Sequence, residues 1–211
     1  MVSSTTVRTR SARLVVAVSS GRYYYVGDRQ MSSRATPMST QPTILVVDDE
    51  RELADLYATW VGDDYAVRTA YDGQSALGQA DEAVDVVLLD RHMPDLSGDE
   101  VLERIRDRGL DCWVIMVTAV DPGLDIVELD LDDYVTKPVT RTQLIRIIEN
   151  LRVQSRYADD ERRELESISN KMETLESDSP VEDIEETESY QRLEADLKKL
   201  SDSLVDGLDG E

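Results

Sequence analysis

The sequence predicts an α/β fold in which a doubly wound, five-stranded parallel sheet is followed by an α-helical hairpin or coiled-coil extension. Two observations lead to this prediction. Short, nearly continuous apolar runs alternate with amphipathic helical patterns through the middle of the chain, as in strands that are covered on both faces. A strongly acidic segment then carries two stripes of apolar residues at helical spacing. We therefore expect two structured units, residues 42–151 and 152–211.

A basic segment, residues 1–41, precedes the first predicted strand. It has six arginines and one aspartate and shows no sustained hydrophobic period, so we predict a disordered arm. Contact of this arm with an acidic partner is a second interpretation. Because Met31 and Met38 lie just before the first strand, one hypothesis is that part of this arm is an over-extended gene start.

Five strands are predicted from the apolar runs. Three long runs and two shorter ones indicate them, near residues 44–47, 65–67, 84–89, 113–117 and 134–135. Strands that alternate with helices in this way form a parallel sheet, and ligands bind such sheets at the carboxyl ends of the strands.

Amphipathic helices are predicted between and after these strands. Apolar residues recur at helical spacing near residues 53–61, 101–105 and 144–151. Ser97 and Glu100 have the spacing of a capping box, which marks the start of the second of these helices.

The charge of the chain limits its partners. It has 45 acidic and 23 basic side chains and a formal net charge of −22, which repels phosphate backbones and anionic lipids. No apolar run approaches the roughly 20 residues of a membrane helix. The single cysteine, Cys112, excludes a disulfide framework and favours a reducing compartment, so we expect a cytoplasmic protein without membrane contacts.

The acidic composition has two explanations of equal weight. Phe is absent, and dense carboxylates accompany few lysines, as expected for a protein kept soluble in concentrated salt. High salt screens the self-repulsion of such a surface. The alternative is an ordinary acidic protein from a GC-rich genome.

Polar side chains follow the central strands of the predicted sheet. Asp48 and Asp49 follow the first strand, Asp90 the third, Thr118 the fourth and Lys137 the fifth. Because these strand ends meet at one edge, we expect the side chains to converge. Crowded carboxylates repel one another unless a divalent cation neutralises them, and an all-oxygen set suits Mg²⁺ better than zinc. The pattern predicts a phosphoryl-accepting site.

This middle segment resembles the receiver domain of two-component response regulators, which has a flavodoxin-like fold. The resemblance rests on several spaced elements: the Asp48-Asp49 pair, Asp90 followed by Met93-Pro94 and Gly98, Thr118-Ala119, and Tyr134 with Lys137-Pro138. One departure is a helix near residues 121–130 that is about one turn shorter than expected for the family.

The resemblance implies a role for each of these residues. Asp90 is the expected phosphoacceptor, and Asp49 and Asp90 are expected to bind Mg²⁺ directly, with Asp48 acting partly through water. The backbone carbonyl of His92 would complete the metal shell. Thr118 and Lys137 would contact the phosphoryl oxygens, and Tyr134 occupies the position of the switch aromatic.

Simpler interpretations of single residues stay open at this point. The Asp48-Asp49 pair is also a suitable helix cap, since Asp is a preferred N-cap residue. Tyr134 is alternatively an ordinary strand tyrosine packed against the last helix of the receiver. We expect the imidazole of His92 to be a solvated bystander.

The acidic C-terminal segment has helical periodicity but no chemical motif. Its two apolar stripes lie near residues 165–175 and 190–204, and Ser179 is expected to start the second helix. A receiver with this tail resembles the HalX-type response regulators of halophilic archaea. We expect the narrow stripes to bury further area against the receiver, a second subunit or another partner.

The leading hypothesis is a response regulator that a histidine kinase phosphorylates, with chemistry confined to its own Asp90 and no enzymatic activity on a separate substrate. An aspartyl-phosphate-forming hydrolase is an alternative, although that class requires Asp-x-Asp where this chain has Asp48-Asp49-Glu50. A phosphorylation-independent interaction module is another. We do not expect the chain itself to be a histidine kinase, because His92 is its only histidine and the sequence has no glycine-rich nucleotide-binding segment.

We expect the output to act through protein contacts of the C-terminal helices, either in a homodimer or with another partner. Any transcriptional control would act through the same contacts. The net charge of −11 on residues 152–211 opposes direct reading of DNA. In the alternative hypothesis, the tail and the basic arm together form a DNA-binding surface.

Overall fold

The computed structural model describes residues 17–19, 22–24, 41–154 and 160–209, with side chains described for 41–151 and 163–203. Within the predicted N-terminal arm, strands β1 (Ala17–Ser19) and β2 (Arg22–Tyr24) pair antiparallel. The rest of the arm, and with it the prediction of disorder, lies outside the described residues.

The predicted parallel sheet is confirmed. Its strands are β3 (Thr43–Val47), β4 (Ala66–Ala70), β5 (Val86–Leu89), β6 (Trp113–Thr118) and β7 (Asp133–Thr136). All neighbours pair parallel in the order β4-β3-β5-β6-β7, so the direction of winding reverses at β3 and β5. That reversal opens a crevice at the carboxyl ends of β3 and β5, where the predicted site residues begin.

Four helices cover the sheet: α1 (Arg51–Val61), α2 (Gly73–Gln79), α3 (Gly98–Asp107) and α4 (Arg141–Gln154). The Ser97–Glu100 capping box at the start of α3 is present. Helix α2 is the receiver helix that the sequence patterns missed, because its seven residues include two glycines and few large apolar side chains.

Two hydrophobic cores lie on opposite faces of the sheet because successive strand residues point to opposite sides. One core joins Ile44, Val46 and Leu88 to α1 and α4. The other joins Leu45 and Leu89 to α2, α3 and the C-terminal helices. The tail is therefore part of the second core.

The segment between β6 and β7 holds a 3-10 helix, Leu124–Glu128. The sequence predicts a shortened helix here, and the structure reduces it further to this five-residue turn. Ile126 is fully buried and anchors the turn in the core. Because so short an element covers little of the sheet, the core beside β7 needs another cover.

The C-terminal helices α5 (Asp160–Asp178) and α6 (Glu188–Asp209) provide that cover as a helical hairpin. The hairpin prediction is confirmed, but the expected helix start at Ser179 is wrong. Asp183 adopts a left-handed φ of 50°, and a short 3-10 turn, Ile184–Glu186, follows it. A helix that began at Ser179 could not continue through this left-handed residue. Thr187 instead accepts the backbone N–H of Tyr190 at 3.3 Å and caps α6.

Helix α5 also satisfies backbone carbonyls of the segment that leads into the edge strand β7. Ser167 Oγ donates to the Leu131 carbonyl at 2.6 Å, Asn170 Nδ2 to that of Asp132 at 2.9 Å, and Lys171 Nζ to that of Leu129 at 2.5 Å. An exposed edge strand is a template for pairing with other chains, and α5 packs beside β7, where Thr174 Oγ1 donates to the Tyr134 carbonyl at 3.5 Å. Among the described helices, none is long and apolar enough to cross a bilayer.

Candidate functional site

Two buried aspartates and one lysine meet at the carboxyl edge of the sheet. Lys137 Nζ donates to Asp48 Oδ2 and to Asp90 Oδ1, each at 2.8 Å. Asp48 is 2% exposed and Asp90 is 5% exposed. These three groups come from the ends of β3 and β5 and from the residue after β7, so the topology brings together side chains that are 89 positions apart in sequence.

The electrostatics of this cluster leave it short of positive charge. Burial raises the pKa of Asp48, although the hydrogen bond from Lys137 opposes the shift. Burial lowers the pKa of Lys137, but its bonds to the two aspartates outweigh burial and raise it above the ordinary value. With the lysine charged, the two carboxylates retain a net negative charge that attracts a further cation.

The backbone fixes both carboxylates in orientation. Asp48 Oδ1 accepts the N–H of Glu50 at 3.0 Å, and Asp90 Oδ2 accepts the N–H of His92 at 2.8 Å. Helix α1 begins after Glu50, which makes no side-chain cap bond, so the interpretation of the aspartate pair as a helix cap is wrong. The imidazole of His92 is exposed, in agreement with a bystander role.

Asp49 is partly exposed and makes no hydrogen bond or ion pair within the described part of the chain. Asp48, Asp49 and Asp90 supply only carboxylate oxygens, which fit a hard cation such as Mg²⁺. Among the described residues no three acidic, His or Cys side chains form a ready-made metal-binding group. The oxygen donors thus fit Mg²⁺, while in this structure Lys137 bridges Asp48 and Asp90.

Thr118 and Tyr134 both bind the backbone of a single residue, Val120. Thr118 Oγ1 accepts the N–H of Val120 at 3.4 Å, and Tyr134 Oη donates to the Val120 carbonyl at 2.8 Å. Tyr134 is 4% exposed and lies in the core that contains α3 and the tail, on the opposite face of the sheet from α4. The interpretation of Tyr134 as a tyrosine packed against the last receiver helix is therefore wrong.

Arg91 is a site residue that the sequence patterns did not identify. It directly follows Asp90 and is 8% exposed. Its guanidinium binds Asp99 at the start of α3, with Nη2–Oδ2 at 2.9 Å, and pairs with Asp125 in the 3-10 helix. A charged residue in a loop is normally solvated, and only its acidic neighbours, distant in sequence, allow this one to be buried.

Gly98 holds the loop that follows Asp90 close to α3. A Cβ atom placed on Gly98 would lie 2.8 Å from the Cα of Arg91 and against the Asp90 carbonyl, while the Gly98 N–H donates to the Arg91 carbonyl at 2.8 Å. Neither backbone contact can move aside easily. The close approach of the two backbones thus explains why position 98, after Asp90, is a glycine.

We expect Gly98→Ala to lower the free energy of unfolding by about 1–3 kcal/mol, because the added methyl group overpacks rigid backbone. The urea unfolding midpoint measures this change. Gly78→Ala is the matched control, since a Cβ on that exposed helical glycine meets nothing within 4 Å. We expect the control to be neutral or stabilising; equal destabilisation by both variants would contradict the close-approach explanation.

Comparisons with known proteins agree with this geometry. The family model described as the response regulator receiver domain matches residues 44–149. The chain belongs to this family of two-component response regulators. A HalX domain model matches residues 154–211, the segment that contains the helical hairpin.

Relatives of this response regulator differ in how much of it they share. A protein of Haloferax volcanii, whose assigned name is that of a transcriptional regulator, is 42% identical over 174 residues, which cover 81% of this chain and 30% of that protein. The regulatory protein VanRc of Enterococcus gallinarum is 39% identical over 120 residues, 54% of this chain and 52% of that protein. The chain thus spans about half or less of the length of these curated relatives.

A solved structure shares the receiver fold. The receiver domain protein from Methanospirillum hungatei superposes with a TM-score of 0.52 at 25% identity, covering 56% of this chain and 98% of that one.

Proposed function

We propose that a histidine kinase phosphorylates this response regulator on Asp90 and that the phosphorylated receiver switches an output carried by α5 and α6. The observation that carries the proposal is the bridge from Lys137 to Asp48 and Asp90, which places a buried acceptor carboxylate beside a fixed ammonium group. Histidine kinases are proposed as partners because the relatives are regulators of this class.

The reaction proposed is transfer of one phosphoryl group. A carboxylate oxygen of Asp90 attacks phosphorus in line, an O–P bond forms, and the bond to the donor nitrogen breaks with the electron pair leaving on that nitrogen. Lys137 balances negative charge on the phosphoryl oxygens, and the hydroxyl of Thr118 offers a hydrogen bond to one of them. The product is an acyl phosphate on the chain itself, so we propose no turnover of a separate substrate.

A bound Mg²⁺ would supply charge neutralisation at the phosphoryl oxygens. We propose Asp48, Asp49, Asp90 and the backbone carbonyl of His92 as its ligands. Two properties of the chain support this set: the donors are all oxygens, and Asp49 has no other partner among the described residues. Asp48 and Asp90 each have one oxygen bound to Lys137 and the other to a backbone amide, so Asp49 is the carboxylate most open to direct binding.

The output is proposed to require movement of the tail. Tyr190, Leu193 and Leu197, which form the apolar stripe of α6, are at most 5% exposed and pack against the receiver. A homodimer or a protein partner that uses this stripe can form only after the hairpin has left the receiver. The acidic character of the tail continues to favour a protein partner over DNA.

The test of this function is labelling by a small phosphodonor in the presence of Mg²⁺. We expect the wild-type chain to form an acyl phosphate and Asp90→Asn to form none, because an amide is not a nucleophile of this kind while its shape preserves the fold. Asp95→Asn is the matched control, an exposed aspartate in the same loop with a left-handed φ of 65° that Asn tolerates. Labelling of Asp90→Asn at the wild-type rate would refute the proposal.

A further inference from the structure

Arg91 binds two elements besides its own loop. Its side chain is 10% exposed and forms a two-pronged contact with Asp99, with Nε–Oδ1 at 3.0 Å and Nη2–Oδ2 at 2.9 Å. The same Nη2 pairs with Asp125, whose side chain is 57% exposed. These carboxylates hold the pKa of Arg91 above its ordinary value despite burial, so the residue is always charged. Its position is fixed on one side by α3 and on the other by the 3-10 helix.

The 3-10 helix connects Arg91 to the C-terminal hairpin. Asp125 lies near its start, and Glu128 at its end pairs with Arg192 of α6 at 3.2 Å. Between these two, Ile126 lies in the same hydrophobic core as Leu193 and Leu197. A displacement of Asp125 therefore moves an element on which α6 rests.

A second route joins Arg91 to the same place. The nearby guanidinium opposes the rise that burial causes in the pKa of the Tyr134 hydroxyl. The hydroxyl in turn donates to the carbonyl of Val120, the residue whose N–H Thr118 accepts. Arg91 thus touches both the switch tyrosine and the element beneath α6.

From these contacts we infer that Arg91 is a positioning residue that couples the acceptor to the tail: its pair with Asp125 keeps the 3-10 helix and α6 closed on the receiver, and phosphorylation releases them. The release on phosphorylation rests on the proposed function. A phosphoryl group brings a charge of about −1.5 to −2 to the residue next to Arg91 and competes for the guanidinium. The more exposed partner, Asp125, is lost before Asp99, because solvent compensates its carboxylate more readily.

The first experiment uses the unphosphorylated full chain and hydrogen exchange of the α6 amides. We expect Asp125→Asn to raise their exchange rate about fivefold, the effect of one partly exposed ion pair. Asp121→Asn, an exposed aspartate before the same 3-10 helix, is the control and should change nothing. Arg91→Lys removes the planar fork and should raise the exchange rate similarly, whereas the double variant should add nothing further.

The second experiment repeats the exchange after treatment with a small phosphodonor and Mg²⁺. We expect phosphorylation to raise α6 exchange in the wild type and in Asp121→Asn, and to add nothing in Asp125→Asn even though that variant is labelled normally. An equal phosphorylation-dependent rise in wild type and Asp125→Asn would overturn the inference, as would additive effects of the Arg91 and Asp125 substitutions. Absence of label on the wild type would refute the proposed function and the release step, while the unphosphorylated variants would still decide whether Arg91 holds the tail.

Discussion

Replacing Asp132 by Asn is expected to detach the C-terminal hairpin and to lower the free energy of unfolding by about 3–5 kcal/mol, the effect of removing one partner of a buried ion pair. Asp132 is 4% exposed and its carboxylate accepts Arg106 Nη2 at 2.9 Å, Arg163 Nε at 2.7 Å and the N–H of Val114 at 2.7 Å. Arg106 belongs to α3 and Arg163 to α5, so one carboxylate joins the receiver to its tail. The amide of Asn would point a donor at a guanidinium and leave Arg106 and Arg163 only their more exposed partners, Asp130 and Asp111.

Two measurements separate the loss of docking from general unfolding. The guanidinium of Arg163 lies 4.4 Å from the ring centre of Trp113, so detachment changes the fluorescence of that tryptophan. Asp130→Asn is the matched control, because Asp130 also pairs with Arg106 but its side chain is 82% exposed. We expect the control to cost less than about 1 kcal/mol and to leave the fluorescence unchanged. Equal effects of the two variants would show that Asp132 does not anchor the tail.

Replacing Lys137 by Met is the second change with a large expected effect. It leaves Asp48 and Asp90 buried without their shared cation, and we expect a loss of about 3–5 kcal/mol in the free energy of unfolding at neutral pH. Burial already places the pKa of Asp48 above its unfolded value, and loss of the lysine raises that pKa further. A carboxyl with a raised folded pKa favours the folded state in acid and loses that contribution as pH rises through the folded pKa. The variant should therefore gain stability on acidification.

Mg²⁺ provides a further test of the same variant. With the ammonium gone, added Mg²⁺ should raise the melting temperature of Lys137→Met more than that of the wild type, because the cation replaces the lost charge. Lys199→Met, at an exposed position on α6, is the control and should respond to neither acid nor Mg²⁺ in this way. A variant as stable as the wild type at every pH would contradict the assignment of Lys137 as the compensating charge.

The receiver could be predicted from the sequence because its signals are local. Continuous apolar runs define strands such as Val86–Leu89, and Asp90 follows that strand at once, so the sheet edge and its chemistry appear together. Helix α2 lacked such a signal, since glycine and glutamine weaken its periodicity. The order of strands follows from short right-handed connections, which bring distant residues such as Asp48 and Lys137 to one edge.

The docking of the tail could not be predicted in this way. Periodicity identifies apolar residues such as Leu193, but Asn170 and Lys171 have the composition of a solvated helix face and instead donate to backbone carbonyls beside β7. Arg91 and Asp132 are charged residues whose burial depends on partners far away in sequence, Asp125 and Arg163 among them. Long-range compensation of charge leaves no pattern in a single sequence, which is why the link between receiver and tail emerges only in three dimensions.

The most direct measurement of the central claim is the position of the acyl phosphate. The full chain is treated with a small phosphodonor and Mg²⁺, reduced with borohydride, which converts a phosphorylated aspartate to homoserine, and digested for peptide mass analysis. We expect the reduced residue at position 90 in the wild type and at no position in Asp90→Asn. Reduction at Asp48 or Asp49, or an equal yield from the wild type and Asp90→Asn, would contradict the assignment of Asp90 as the phosphoacceptor.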